Sequence, residues 1–395
     1  MNERTKVLGM IGAVMMSTSA AIAADDPIII GFATAQSGWL SYESSSVEAA
    51  KIAIEEINAA GGLLGRQIKV VEADTKTDRT EGARAGQEVV NQGASLVVVS
   101  CDYDMGSPAA FAAQSAGVIA ISLCANDPKM GVQGVGTHAF SWSFAAQSGG
   151  YVLADFGYEE GWKKAYSLLD TTIEFNKSTC AGFNARWKEL AGDAGFLGED
   201  TWRNDDPSIS AQITRLLALP EKPDVIMLCT YLPGGASAIK QLRDAGIQTA
   251  LLSSQALDGD FWLNSVPNLS GFYYNAYMSI FGDEPSAENK ALLDKYVAKT
   301  GERPVTSNFV TGYGLIKGYQ LAVERAGTDD PDAVLAEFNK FTDEKIEGVP
   351  ITFTPEMHIQ LKWPLLMMKV ENGKHAAIRY QTSGSTPPMS LLFPK

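Results

Sequence analysis

The stretch "VVVSCDYDMGSPAA", residues 97–110, decides the reading of the chain. The apolar run Val97 to Val99 has the β-branched content of a buried strand. It stops at Ser100-Cys101, and a helix-like, alanine-rich stretch follows Gly106-Ser107-Pro108. A wholly apolar strand that runs into a helix belongs in a parallel sheet covered on both faces. Asp102, Tyr103 and Asp104 then stand at the carboxyl end of that strand, where open α/β sheets bind ligands.

The alternation continues outward. Upstream, "PIIIGFATA" (27–35) is a short apolar strand ending in Gln36-Ser37-Gly38. Val47, Ala50, Ile54 and Ile57 recur at helical spacing within 42–60, and Gly61-Gly62 stops that helix. "RQIKVVEADT" is a strand, "TEGARAGQEVVNQG" a helix ending at Gly93, and "GVIAIS" another strand. A doubly wound parallel sheet accommodates this β-α-β-α-β-α-β series. A second series places strands at 163–170, 196–201, 223–230 and 249–254, with helices at 178–192, 208–219 and 234–246. Then 271–278 reads as a strand, 286–301 and 307–327 as helices, and 365–381 as strand-turn-strand around Asn372-Gly373. Two α/β lobes with the chain returning between them imply an interlobe cleft, a favoured place for small ligands.

The chain has 395 residues, 45% hydrophobic and 20% charged, with a formal net charge of −14. That is globular composition at a length that suits two or three domains. The acidic balance disfavours nucleic acid and anionic membrane surfaces as partners. Residues 1–24 carry Arg4 and Lys6, an apolar stretch from Val7 to Met16, and small residues ending in Ala21-Ile22-Ala23. This is the order of a secretory signal peptide. No later run approaches ~18 apolar residues, so no membrane insertion is expected, and the mature protein is read as exported and soluble. Export permits disulfides. Cys101, Cys124, Cys180 and Cys229 fit no zinc pattern and no C-x-x-C motif, and their pairing stays open.

No catalytic or metal-binding constellation is legible. His138, His358 and His375 lie in no H-E-x-x-H motif, and the last two read as solvated surface residues. There is no G-x-S-x-G elbow and no Walker A loop. "GYGLIKG" (312–318) lies inside a helical pattern and reads as packing glycine. Asp74 and Asp78 lack calcium-loop spacing. Without a nucleophile, base and orienter, binding rather than catalysis is expected, with no cofactor and no metal.

"IIIGFATAQSGWLSYESSSVEAAKIAIEEINAAGGLLGRQIKVVEADTKTD" resembles the first lobe of type I periplasmic solute-binding proteins. The group it is most similar to is the leucine/isoleucine/valine-binding type that serves ABC importers. The marks are the strand ending in Ser37-Gly38, the long helix, and Asn58 with Gly61-Gly62. The resemblance runs on through "YLPGGASAIKQLRDAGI" (231–247) and the helix at 306–327. It implies an α/β fold of two doubly wound Rossmann-like lobes, joined by three crossover strands and closing by hinge motion. Lobe 1 falls at 25–145 plus 276–350, and lobe 2 at 146–275 plus 351–395. A periplasmic monomer is expected, delivering a small-molecule ligand to the permease of an ABC importer. Relatives pair a cysteine at the Cys101 position with one near residue 77, which here is Thr77. That bond is absent, and a Cys101–Cys124 bridge between neighbouring strand ends stands as a hypothesis.

In that family a ligand carboxylate is met after the third and fourth strands. The matching positions are Asp102 and Cys124-Ala125-Asn126. The ammonium is met by a tyrosine, matching Tyr231, and by carboxylates whose positions hold Gln255 and Ala145. Phe175 matches an aromatic of the second lobe. A ligand carboxylate beside Asp102 costs roughly 1–4 kcal/mol at intermediate dielectric. An ammonium deprived of its partner loses about 2–5 kcal/mol. Trp39, Tyr42, Tyr103, Trp142, Phe175 and Tyr231 offer aromatic surface instead, edged by Asp102 and Asp104. Such a site sandwiches a ring or cages a cation. The alternative role for Asp104 is to cap the helix that follows. The expected ligand is thus aromatic or cationic and polar rather than a plain aliphatic amino acid. The competing readings are an amino acid in the usual family pose and a soluble ligand-sensing partner of a receptor.

Overall fold

The computed structural model describes residues 26–394, so the expected signal segment lies outside the described residues. β1 (Ile28–Thr34) alternates by the two-residue period of a strand. Ile28, Ile30 and Phe32 point to one fully buried face and Ala33 to the other. It is followed by α1 (Ser44–Ala59), β2 (Ile68–Asp74), α2 (Arg79–Asn91), β3 (Leu96–Val99), α3 (Tyr103–Ser115), β4 (Ile119–Ser122) and β5 (Ala139–Ser141). These strands form one parallel sheet in the order β2-β1-β3-β4-β5. The order reverses between β1 and β3, and the crevice beyond their carboxyl ends is the switch point of a doubly wound sheet.

The chain crosses into a second sheet through α4 (Ala146–Glu159) and repeats the pattern. β6 (Ala165–Asp170), α5 (Glu174–Ala191), β7 (Phe196–Trp202), α6 (Ser210–Leu217), β8 (Val225–Cys229), α7 (Gly234–Asp244), β9 (Ala250–Ser253) and β10 (Phe272–Ala276) follow. Their order, β7-β6-β8-β9-β10, is the same topology, also parallel. A second crossing delivers α8 (Ala287–Thr300), α9 (Phe309–Ala326), α10 (Pro331–Phe338) and the short hairpin β11 (Glu344–Ile346) and β12 (Val349–Ile351). α9 returns to the first lobe and packs along α1. A third crossing leads to the hairpin β13 (Leu365–Glu371) and β14 (Lys374–Gln381), antiparallel at the β10 edge, and then α11 (Met389–Leu392). The architecture is that of two doubly wound lobes joined by three crossover segments.

Each sheet is covered on both faces, with the edge strands β7 and β14 of the second only partly buried. In the first, Phe32, Val98, Ile121 and Phe140 meet α1 and α9, while Ala33, Val97, Val99 and Ala120 meet the small residues of α2 and α3. Two disulfides are present, Cys101–Cys124 after β3 and β4, and Cys180–Cys229 between α5 and β8. Two histidines correct the sequence reading. His358 is 1% exposed, stacks on Phe140 at 3.8 Å, and bonds Asn339 Oδ1 at 2.9 Å. His375 is half-buried, stacks on Phe281 at 4.0 Å, and has Nδ1 2.7 Å from the Tyr274 hydroxyl. Both lie under segments whose long-range contacts local sequence does not reveal, and burial lowers each pKa to about 4.

Candidate functional site

The carboxyl ends of the two sheets face one another across a cavity of ≈ 640 Å³, its open mouth included. On the first lobe, the turn after β1 carries Trp39 and Tyr42. Gly38 starts that turn at φ 86°, and a Cβ there would lie 2.5 Å from Thr77 Oγ1, so only glycine fits. The turn ends at Glu43, which is fully buried. Its Oε1 accepts from Ala35 N at 2.6 Å and the Ser100 hydroxyl at 2.9 Å, and its Oε2 accepts from Cys101 N at 2.7 Å. Glu43 thereby ties the ends of β1 and β3 together and fixes the loop that presents Asp102. Burial raises its pKa to about 7 against those three donors.

Asp102 borders the cavity and is the N-cap of α3, its Oδ1 accepting from Met105 N at 3.1 Å. Burial, then repulsion from Asp104, raises its pKa to about 7. The Cys101–Cys124 disulfide forms the adjoining wall, with Asn308 Nδ2 at 3.7 and 3.5 Å from its two sulfurs. Asn126 donates to Ser143 Oγ at 2.8 Å and Phe144 O at 2.9 Å, and accepts from Gln255 Nε2 across the cleft at 2.9 Å.

The second lobe contributes Ile173, Phe175, Tyr231, Gln255 and Asp258. Tyr231 sits 4.6 Å from Trp39, ring centre to ring centre, so the two lobes touch over the cavity. Burial, with Asp170 and Asp102 nearby, pushes the Tyr231 phenol up. Burial does the same to Tyr42, reinforced by Glu43 and Asp102, so both phenols remain hydrogen-bond donors at neutral pH. Asp258 accepts from Ser307 N at 2.6 Å, and burial raises its pKa. Tyr277, in the second crossing, bonds Ser143 Oγ at 2.5 Å.

Of the residues named from sequence, Trp39, Tyr42, Asp102, Cys124, Asn126, Phe175, Tyr231 and Gln255 border this cavity. Three do not, and their reading is corrected. Asp104 points sideways, pairing with Arg79 and accepting from Glu174 N at 2.9 Å, so it is an interlobe strut. It is not the cap of α3, because Asp102 takes that position. The Tyr103 ring lies under Lys129, whose Nζ is 5.4 Å from its centroid. Trp142 turns toward α9, where a Cβ on Gly318 would lie 1.9 Å from it. Sequence reading missed Asp258, Phe261, Tyr277 and the run Thr306-Ser307-Asn308, all of which border the cavity. Position just beyond β9 was a usable signal for Asp258. Tyr277 and Asn308 reach the site through the crossings, which leave no local mark.

Among the described residues the cavity is lined by two aspartates and six aromatic side chains, and by no lysine or arginine. The N-terminus of α9 also opens there and has no side-chain cap, whereas Asp104 and Asn204 accept from the first N–H of α5 and α7. That helix end supplies partial positive charge. The site can therefore hold a cationic or donor group at the aspartates, an apolar or aromatic body between the rings, and an acceptor at a helix end.

Comparison with known proteins agrees with this architecture. The family profile described as periplasmic binding protein matches residues 27–374. A Leu/Ile/Val-binding protein homolog 3 of Brucella melitensis is 24% identical over 73% of this chain and 76% of its own. The branched-chain amino acid transporter substrate-binding protein LivJ of Streptococcus pneumoniae, solved with isoleucine, is 25% identical. It covers 90% of this chain and 99% of its own, with a TM-score of 0.77. A leucine-binding protein LivK of Thermotoga maritima superposes with a TM-score of 0.76 at 19% identity, covering 90% and 99%.

Proposed function

This chain belongs to the periplasmic binding protein family, and from that premise we propose that it is an extracytoplasmic solute-binding protein of an ABC importer. It captures a small organic ligand in the interlobe cleft, closes over it by hinge motion, and hands it to a permease of the branched-chain amino acid type. The protein acts in the periplasm as a monomer. No helix among the described residues is long and apolar enough to cross a membrane. The ligand we propose carries an aromatic or apolar body and a cationic or donor-rich head.

The observation that carries this reading is the charge of the lining. Asp102 and Asp258 border the cavity with no basic side chain among the described residues to neutralise them. A cation gains both carboxylates and the ring faces, whereas an anion gains only the end of α9. A second reading has specific support. An amino acid could bind with its ammonium at Asp102 and its carboxylate at the uncapped N-terminus of α9.

A thermal-shift screen of the mature protein tests both. The panel holds aliphatic amino acids, aromatic amines, quaternary ammonium compounds and aromatic carboxylates. Ligand at 100 times its Kd stabilises the fold by about 2.7 kcal/mol, a shift of several degrees. Shifts confined to cations, and lost in Asp102→Asn, are the expected result. A shift with leucine or isoleucine alone establishes the second reading, and a shift with aromatic carboxylates alone overturns both.

A further inference from the structure

We infer that the crossover region holds a second small-molecule site, separate from the cleft and built for a small organic cation bearing a hydroxyl. A cavity of ≈ 770 Å³, the open solvent at its mouth included, lies there, and Tyr277 is the single one of the described residues that borders both spaces. Each crossing supplies one aromatic wall: Trp142 from the first, Tyr277 from the second and Trp363 from the third. These side chains are 2%, 3% and 5% exposed, so the walls are set by packing. Tyr277 meets Trp363 edge to face at 5.7 Å.

Two carboxylates stand at the opening. Glu288 lies at the start of α8 and Glu347 in the turn between β11 and β12. A Cβ on Gly348 would lie 2.1 Å from Glu288 Oε2, so that turn closes directly onto the Glu288 carboxylate. Neither glutamate has an ion-pair partner among the described residues, and no lysine or arginine borders the cavity. Buried indole and phenol faces with unneutralised carboxylates favour an organic cation over a neutral molecule of equal shape. The Trp142 indole N–H makes no hydrogen bond to protein among the described residues and is not sealed from solvent, so a ligand hydroxyl oxygen would take the place of water on it. Because all three crossings contribute, the cavity changes shape with the hinge, and occupancy is linked to cleft closure by equal factors in both directions.

Titration calorimetry with choline tests the inference, with its neutral isostere 3,3-dimethyl-1-butanol as control. The proteins are wild type, a cleft variant Asp102→Asn/Tyr231→Ala, and a crossover variant Glu288→Gln/Glu347→Gln. Both glutamates are exposed, so the last variant keeps its fold. Choline is expected to bind the cleft variant, about tenfold more tightly than the neutral alcohol. Adding the two glutamine substitutions to the cleft variant is expected to remove that preference. Choline binding that vanishes in the cleft variant, or that ignores Glu288 and Glu347, overturns the second site. Dependence of any ligand on Asp102 is read separately, so the cleft assignment fails or survives independently.

Discussion

Asp102 serves two ends, capping α3 through Oδ1 while its carboxyl group borders the cavity. With its pKa raised from 3.8 to about 7, the folded protein holds that proton more tightly than the unfolded chain. Its contribution to stability is therefore lost as pH rises from 3.8 to about 7, and Glu43 behaves likewise from 4.5. His358 and His375, lowered from 6.5 to about 4, act oppositely, contributing stability above 6.5 that is lost as pH falls to about 4. Asp102→Asn is expected to gain stability relative to wild type between pH 4 and 7, read from urea midpoints. A permanently charged cation needs the ionised form, so its affinity is expected to climb through pH 7 and level off above it. Calorimetry across pH 5.5–8.5 should find that slope in wild type and none in Asp102→Asn. Asp102 and Tyr231 were legible because a strand end fixes where they stand. Trp142 sat at an equivalent position and misled, because a strand end does not say which way the ring turns. Glu43, in "SYESSS", looks like any glutamate at a helix start; its burial comes from β1 and β3 closing over it.

At the scale of elements, the meeting of α9 with the first crossing shows how sequence signals convert to packing. Gly314 and Gly318, one helical turn apart, leave a groove into which Trp142 fits. Gly318→Ala would place a methyl 1.9 Å from Trp142 Cη2, so the gain in helix propensity is outweighed by overpacking. A loss of about 1–3 kcal/mol is expected, seen as a lower urea midpoint at unchanged slope. Here the sequence was informative: glycines inside a helical pattern announced a close approach, without naming the partner. Most strands and long helices were legible for the same reason, that burial imposes their period. The hairpin β11–β12 was not, because strands of three residues carry no period.

For the molecule as a whole, the lobes are held together by contacts that span the cleft. Trp39 meets Tyr231, Asn126 meets Gln255, Lys129 pairs with Glu174 at 2.6 Å, and Asp104 takes both Arg79 and the Glu174 backbone. This is a closed arrangement. Asp104→Ala removes a strut from it at a residue that does not border the cavity, though it also relieves repulsion on Asp102. The unliganded variant is expected to open, with a larger radius of gyration by small-angle scattering than unliganded wild type. Saturating ligand is expected to restore the same value in both. Apparent affinity falls by the lost fraction of closed molecules, several-fold for a closed population reduced several-fold. The return of α9 to the first lobe also sets a timetable. The first sheet is complete at Ser141, yet the helix that covers it spans Phe309–Ala326, and Ser46 waits for Asn308 to accept its hydroxyl at 2.8 Å. At ribosomal speeds that gap is on the order of 10 s. Until then the apolar flank of α1 has no cover, so the amino-terminal lobe cannot finish folding before the chain has been made as far as Ala326. In a chain exported as proposed, that delay leaves the polypeptide threadable through a translocation pore for most of its synthesis.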